Sequence, residues 1–385
     1  MSKFLSNRFL GINSYVPGEQ PQDRSYIKLN TNESPFPPSP AVLAAINATE
    51  VSMLNLYPDP DTREASLAIC EKFGLRPENT IFGNGSDELL AFAFQAFCDS
   101  RVPAVYADIT YGFYSVYARI NCVESRVIPL DDSFNLVPSD YYNAGGTVFI
   151  ANPNSPTGCA IPLEHIENIV RANHGSSLNC GSSLNRINNG SSGNSGNGMT
   201  QGNVVVVDEA YAPFGGQSAV PLIHKYDNLI VIHTMSKSKN LAGARIAYAM
   251  ADSALISDLN TMKFSFNPYN VNRLSLIAAV AAINDAQYYD ACVEKLVATR
   301  ERTVAELTCR KFTVLPSKAN FIFAKPLFIS GEGYYRGLKE RGVLVRHFTQ
   351  TRIKDFVRIT IGSDEQMDRL LAETDDMMRN LQRDE

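Results

Sequence analysis

Two lysines, Lys237 and Lys239, follow the apolar stretch NLIVI (Asn228 to Ile232) in the run HTMSKSKNLAGAR from His233 to Arg245. A lysine at the end of a buried strand is desolvated, which lowers its pKa and frees an amine for Schiff-base chemistry with a carbonyl. The spacing leaves both lysines open for that role. Upstream, NVVVVD (Asn203 to Asp208) ends four valines on a carboxylate, with Tyr211 three residues on in VDEAY. Such a carboxylate is costly to ionise unless a cation or strong donor faces it, although an aspartate here also suits a helix cap. ANPNSPTG (Ala151 to Gly158) is a rigid turn that holds Asn154 in a defined position. GNGSDE (Gly83 to Glu88) opens a helix, whose free N–H groups and positive dipole end suit a phosphate. It equally suits an ordinary turn capped by Ser86 or Asp87.

These positions share one setting. TVFI (Thr147 to Ile150), the valine run and NLIVI read as buried strands, and Val102 to Ala107 as another. Helical spacing of apolar residues marks Ser86 to Asp99 and Pro162 to Ala172. The alternation predicts an α/β fold with a three-layer, mostly parallel sheet, in which ligands gather at the carboxyl ends of strands. Taken together, the strand-end residues ask for a phosphate, an acidic ring nitrogen, a phenolic oxygen and an aldehyde, which describes pyridoxal 5'-phosphate. From Asn272 the pattern changes to helices at Asn272 to Ile283 and Ala286 to Thr308. Short strands follow at Asn320 to Ala324, Val343 to Arg346 and Phe356 to Ile361, a smaller α+β domain. The expected division is an arm and part of the small domain at 1–34, a large domain at 35–268 and the small domain at 269–385.

Composition excludes several other classes. A chain of 385 residues with 44% apolar and 19% charged residues is globular and large enough for two or three domains. Its 35 Lys and Arg against 40 Asp and Glu leave a net charge of -5, which disfavours nucleic acid as a partner. The longest apolar run, Leu276 to Ile283, is too short to cross a bilayer. Met1 to Leu10 lacks the apolar core of a secretory signal, so a cytoplasmic protein is expected. Seven cysteines without a CxxC pair suit reduced thiols and no metal site. Between Gly175 and Gly198, 19 of 24 residues are Gly, Ser or Asn. This stretch is too polar to offset its ordering entropy and reads as a flexible insertion (173–202) between a helix and a strand of one domain.

The runs Asn152 to Gly158, VDEAY and SKxxxLAGAR (Ser236 to Arg245) resemble, in order and spacing, the signature of the fold-type I pyridoxal-phosphate aminotransferases. The resemblance extends from about Tyr15 to Gly362. It selects Lys237 as the Schiff-base lysine and implies that Asp208 pairs with the pyridine nitrogen. Tyr211 and Asn154 would bond the ring hydroxyl, Tyr111 would stack on the ring, and Ser86, Asp87, Ser236 and Arg245 would bind the cofactor phosphate. Many relatives have asparagine immediately before the turn's second proline, where this chain has Ser155.

Within that family SYVPG (Ser14 to Gly18), KLNTNESPFPPSP (Lys28 to Pro40), YPDP (Tyr57 to Pro60), GSDE (Gly85 to Glu88) and VRITIGS (Val357 to Ser363) resemble the histidinol-phosphate branch. This implies Arg358 and Arg346 as contacts for the substrate's anionic end and Tyr15 closing over it. Tyr57 would reach the cofactor phosphate of a neighbouring subunit in a homodimer. A small-molecule amino donor and a 2-oxo acid, most simply 2-oxoglutarate, would be the reactants. A threonine-phosphate decarboxylase or an aromatic amino-acid aminotransferase would share the scaffold. A non-catalytic pyridoxal-phosphate module is the remaining reading, with Lys237 and Arg358 counting against it.

Overall fold

Seven strands form one sheet: β1 (Thr80–Gly83), β2 (Ala104–Ala107), β3 (Ser125–Ile128), β4 (Thr147–Ala151), β5 (Val205–Asp208), β6 (Leu229–Thr234) and β7 (Ala247–Ala251). The computed structural model describes residues 3–9, 12, 14–175 and 202–383. Sheet order is β1-β7-β6-β5-β4-β2-β3. Only β7 runs antiparallel to its neighbours; the four pairings among β2 to β6 are parallel. Strands β1, β2 and β5 are buried along their whole length, as a sheet covered by helices on both faces requires. One layer includes the helices Ser86–Phe97 and Ser253–Phe266, and the other Arg63–Phe73, Leu163–Asn173 and Arg273–Asn284.

Helix Arg273–Asn284 differs from the expected domain division. It buries Ala278, Ala279, Ala282 and Ile283 in the core of the large sheet, because its small residues allow close packing on Arg63–Phe73. The 24-residue helix Ala286–Cys309 then leads into a second core. That core lies on a four-stranded antiparallel sheet of β8 (Phe312–Val314), β9 (Phe321–Pro326), β10 (Arg346–His347) and β11 (Val357–Thr360), in the order β10-β11-β9-β8. Ile27–Lys28 pairs in parallel with Val343–Leu344, so the start of the chain is stitched to this smaller unit and Leu29 is buried in its core.

Most of the Gly/Ser/Asn insertion lies outside the described residues. Its flanks meet: Asn203 N donates to Asn173 O at 2.7 Å. The segment therefore leaves and re-enters at one point of a helix-to-strand connection.

Arg300 joins the two units. Its side chain is buried on helix Ala286–Cys309, and its Nη1 donates to Phe214 O (2.9 Å) and Ala319 O (2.8 Å). Removing the guanidinium leaves two buried carbonyls without a donor. Arg300→Met should lower stability by roughly 2–4 kcal/mol, read as a lower urea midpoint; an unchanged midpoint would show that water replaces both bonds.

Candidate active site

The parallel register brings three strand ends side by side. Ala151 pairs with Asp208, and Asp208 with Ile232, five residues before Lys237. The turns that follow β4, β5 and β6 open into a cavity of about 540 Å³. Its walls carry Ser86, Asp87, Tyr111, Asp208, Tyr211, Ser236, Lys237 and Arg245 from the large unit, Arg346 and Arg358 from the small one, and Tyr15 from the arm.

Asp208 is buried. Its oxygens accept from Ala210 N (3.2 Å) and, at the limit of bonding distance, Tyr114 OH (3.5 Å). Burial, reinforced by the charge of Asp87, pushes its carboxyl up to about 7, against the pull of the Ala210 bond. No lysine or arginine pairs with it among the described residues, so the carboxylate is matched to a cationic N–H donor arriving from the cavity.

Lys237 donates to Thr31 O at 3.3 Å. Burial first, and then the cations Arg358 and Arg245, push its amine down to about 8, against the attraction of Glu33 and Asp87. Lys239 is also pushed down to about 8, by burial and Lys72. Its location separates the two: Lys239 lies over the ring of Tyr289 at 4.5 Å and does not line the cavity.

Helix Ser86–Phe97 starts at the cavity wall after Gly85, which supplies no side-chain cap. The N–H groups of its first turn therefore have no partner within the helix. Gly85 has φ +82°, and a Cβ there would lie 2.5 Å from Arg245 Nη2, so only glycine lets the arginine approach. Arg245 itself sits in the left-handed region at φ +51°. Its guanidinium reaches Asp87 Oδ2 (3.3 Å) and Ser236 Oγ (3.5 Å), while Tyr111 OH donates to Asp87 Oδ1 at 2.5 Å. Hydroxyls, guanidinium and helix end together form a cradle for a phosphate.

Opposite this cradle, Arg358 Nη1 donates to Ser155 Oγ (3.2 Å) and Nη2 to Asn30 O (3.0 Å), while Nε has no partner. No carboxylate pairs with it among the described residues, and burial pushes its pKa down. An enclosed guanidinium without a counter-ion is an anion site.

The sequence matches the family model "Aminotransferase class I and II" over residues 24–178 and 199–373. The chain belongs to the class I and II aminotransferases. It is 44% identical to a histidinol-phosphate aminotransferase of Marinomonas sp. (strain MWYL1), over 97% of this chain and 99% of that one. It is 41% identical to one of Clostridium beijerinckii, over the full length of both. The fold is similar to the crystal structure of histidinol-phosphate aminotransferase from Sinorhizobium meliloti in complex with pyridoxal-5'-phosphate. The TM-score is 0.79 at 23% identity, with 99% of this chain and 100% of that one covered.

Two of the expected site residues lie outside this chain's own cavity, Tyr57 as its expected role toward a neighbouring subunit requires. The amide of Asn154 is spent on its own turn and on the loop after β2: Oδ1 accepts from Thr110 Oγ1 (2.7 Å), and Nδ2 donates to Ile109 O (2.9 Å) and Thr157 Oγ1 (3.1 Å). It does not line the main cavity, whereas Ser155 does. Tyr57 lies outside the cavity as well, exposed and stacked on Tyr269 at 4.4 Å. Sequence reading missed Asn32, whose Nδ2 donates to Tyr211 OH at 2.8 Å. It also missed Phe348, Gln350 and Ile353, which wall the cavity from the small unit. Asn32 stands in the quoted run KLNTNESP, so a signal existed; the other three follow no strand end of the large sheet.

Without cofactor, Asp208 should destabilise the fold. Its folded pKa near 7 lies above the usual carboxylate value, so the cost of ionisation grows as pH rises from about 4 and is complete above about 7. Asp208→Asn in the cofactor-free protein should therefore be the more stable form at pH 8, by roughly 2–4 kcal/mol, with the gain vanishing near pH 4. Denaturation midpoints at the two pH values measure this, and a gain equal at both would remove the burial argument.

Proposed function

We propose that this chain is a pyridoxal-phosphate-dependent aminotransferase that moves the amino group of histidinol phosphate to 2-oxoglutarate, giving imidazole acetol phosphate and glutamate in histidine biosynthesis. The observation that carries the reading is the pairing, within one cavity, of two separate anion sites: the cradle at Ser86, Ser236 and Arg245, and the uncompensated guanidinium of Arg358. A cofactor phosphate occupies the first and the substrate's phosphate the second. The activity named for the Marinomonas and Clostridium relatives agrees with this.

The residues present fit the cofactor. Asp208, raised to about 7 and without a cation, suits a protonated ring nitrogen, and that pairing would hold the carboxylate ionised. Tyr211, held by Asn32, and Ser155 would bond the ring hydroxyl; Tyr111, held by Asp87, would cover a ring face. When bound, pyridoxal phosphate supplies an aldehyde that takes the amine and a ring that withdraws electrons from the neighbouring carbon. Lys237 holds the aldehyde at rest. Its Nζ, with a pKa near 8, is close enough to neutrality to accept the proton from the substrate carbon and return it one carbon away. Tyr15, stacked on Phe113 at 4.2 Å, narrows the mouth and limits water.

Tyr57 and its surroundings support a homodimer with shared sites. Leu54, Leu56, Tyr57 and Phe266 are all more than half exposed, an apolar surface suited to a second copy. Tyr57 would then reach the partner's phosphate cradle. No helix among the described residues is long and apolar enough to cross a membrane. The proposed biosynthetic activity, with its soluble phosphorylated substrate, supports a cytoplasmic enzyme.

Adding histidinol phosphate to the cofactor-loaded protein should shift the cofactor's absorbance to that of the pyridoxamine form, and 2-oxoglutarate should reverse it. Carbon dioxide released from threonine phosphate without that shift would overturn the assignment. Arg358→Lys keeps the charge but loses the planar fork, and should lower kcat/KM roughly 100-fold. Lys237→Ala should abolish borohydride trapping of the cofactor on the chain, measured by mass spectrometry, while Lys239→Ala retains it. Mixing inactive Lys237→Ala with Tyr57→Ala protein should restore roughly a quarter of wild-type activity, because half the sites in mixed dimers are complete; no recovery would remove the shared-site arrangement.

A further inference from the structure

The segment Tyr15 to Glu19 crosses the mouth of the cavity, and Arg346 holds it there. Arg346 Nη1 donates to Pro17 O (3.0 Å) and Nη2 to Val16 O (2.9 Å). The arm is also fixed by Asn30 and by the small unit's helix Gly331–Glu340. Asn30 Nδ2 donates to Glu19 O at 2.8 Å, and the Glu19 carboxylate accepts from Tyr335 and Lys339. Gly18 packs so closely on Thr31 that a Cβ would lie 2.6 Å from its Cγ2.

A guanidinium has five N–H donors in a rigid fork. Two are used on arm carbonyls, and no carboxylate takes the others among the described residues, although Arg346 lines the same cavity as Arg358. Donor supply is therefore not limiting, and an anion need not displace the arm to be bound. The carbonyls instead hold the fork in one orientation before the anion arrives.

We propose that Arg346 couples the N-terminal arm to the substrate's anion: the carbonyls of Val16 and Pro17 orient the guanidinium, whose remaining N–H edge receives the phosphate. Arm closure and anion binding then favour each other, and by linkage each strengthens the other by the same factor. The arm backbone is a positioning element of the anion site as well as a cover. This rests on the reading that the cavity takes a phosphate-bearing substrate.

Hydrogen exchange of peptides spanning residues 12–22, in the cofactor-loaded full chain, tests the coupling. Inorganic phosphate at concentrations that compete with substrate should slow exchange there roughly fivefold or more, and histidinol phosphate should do the same. In Arg346→Gln the slowing should disappear. Gly18→Val lifts the arm without touching the arginine; it should raise the substrate's KM by the same factor while changing kcat less. Exchange that is unchanged or faster with phosphate, slowing that persists in Arg346→Gln, or an unaltered KM in Gly18→Val overturns the proposal. If histidinol phosphate produces no absorbance change, the functional reading fails instead, and the inorganic-phosphate measurement still decides the coupling.

Discussion

A carboxylate buried at the end of a parallel strand, with no cation to meet it, is the constraint around which this protein is arranged. Asp208 sits at the last position of β5 because the three valines ahead of it in the strand are buried between two helical layers. The sheet therefore carries it into an environment where its charge is expensive. Burial also acts on Lys237, at the end of the neighbouring strand, lowering its amine while it raises the carboxyl. The two groups move toward each other on the pH scale from opposite sides, which is the condition for proton chemistry near neutrality. Asp208 would hold a protonated ring nitrogen, which would offset the cost of its charge, and Lys237 would offer its free amine to the same bound ring.

The site is completed from outside the sheet. Arg358 comes from β11 of the small unit, yet its guanidinium is oriented by Ser155 on the turn after β4 and by Asn30 near the start of the chain. Three distant segments meet at one anion site. The relative placement of the two units is therefore part of the chemistry, and Arg300 and the loop at Phe348 to Phe356 help to set it. Arg352 donates from that loop to Asp108 (2.7 Å) and to Asp131 O (2.9 Å) on the large unit. Ile353 and Phe356 pack with Ile109 and Phe134 across the same boundary.

Arg346 shows why residue type alone is a limited guide. An arginine following a buried strand is suited to bind an anion, and the resemblance assigned it to the substrate. Folding gives two of its donors to the arm and so makes a cover into a support. Asn154 shows the opposite outcome. Its amide is suited to the cofactor's ring oxygen, but Ile109 in the loop after β2 and Thr157 in its own turn use both of its N–H donors, and the neighbouring Ser155 lines the wall instead.

The amino-acid sequence by itself determined the alternation of buried strands and amphipathic helices, the family, and the cradle, aspartate and lysine at strand ends. These rest on local burial patterns and short motifs, which are written contiguously along the chain. Tertiary structure decided the rest. It supplied the physical difference between Lys237, which the resemblance had selected, and Lys239, which shares its sequence context and a similar lowered pKa: only Lys237 lines the cavity. It placed helix Arg273–Asn284 in the large core, and it put Tyr57 on an exposed surface. It also brought Asn32 to Tyr211, Ser155 to Arg358 and Arg346 to the arm. Each of these depends on packing or hydrogen bonds between segments distant in the chain, and such contacts exist only once the chain has folded.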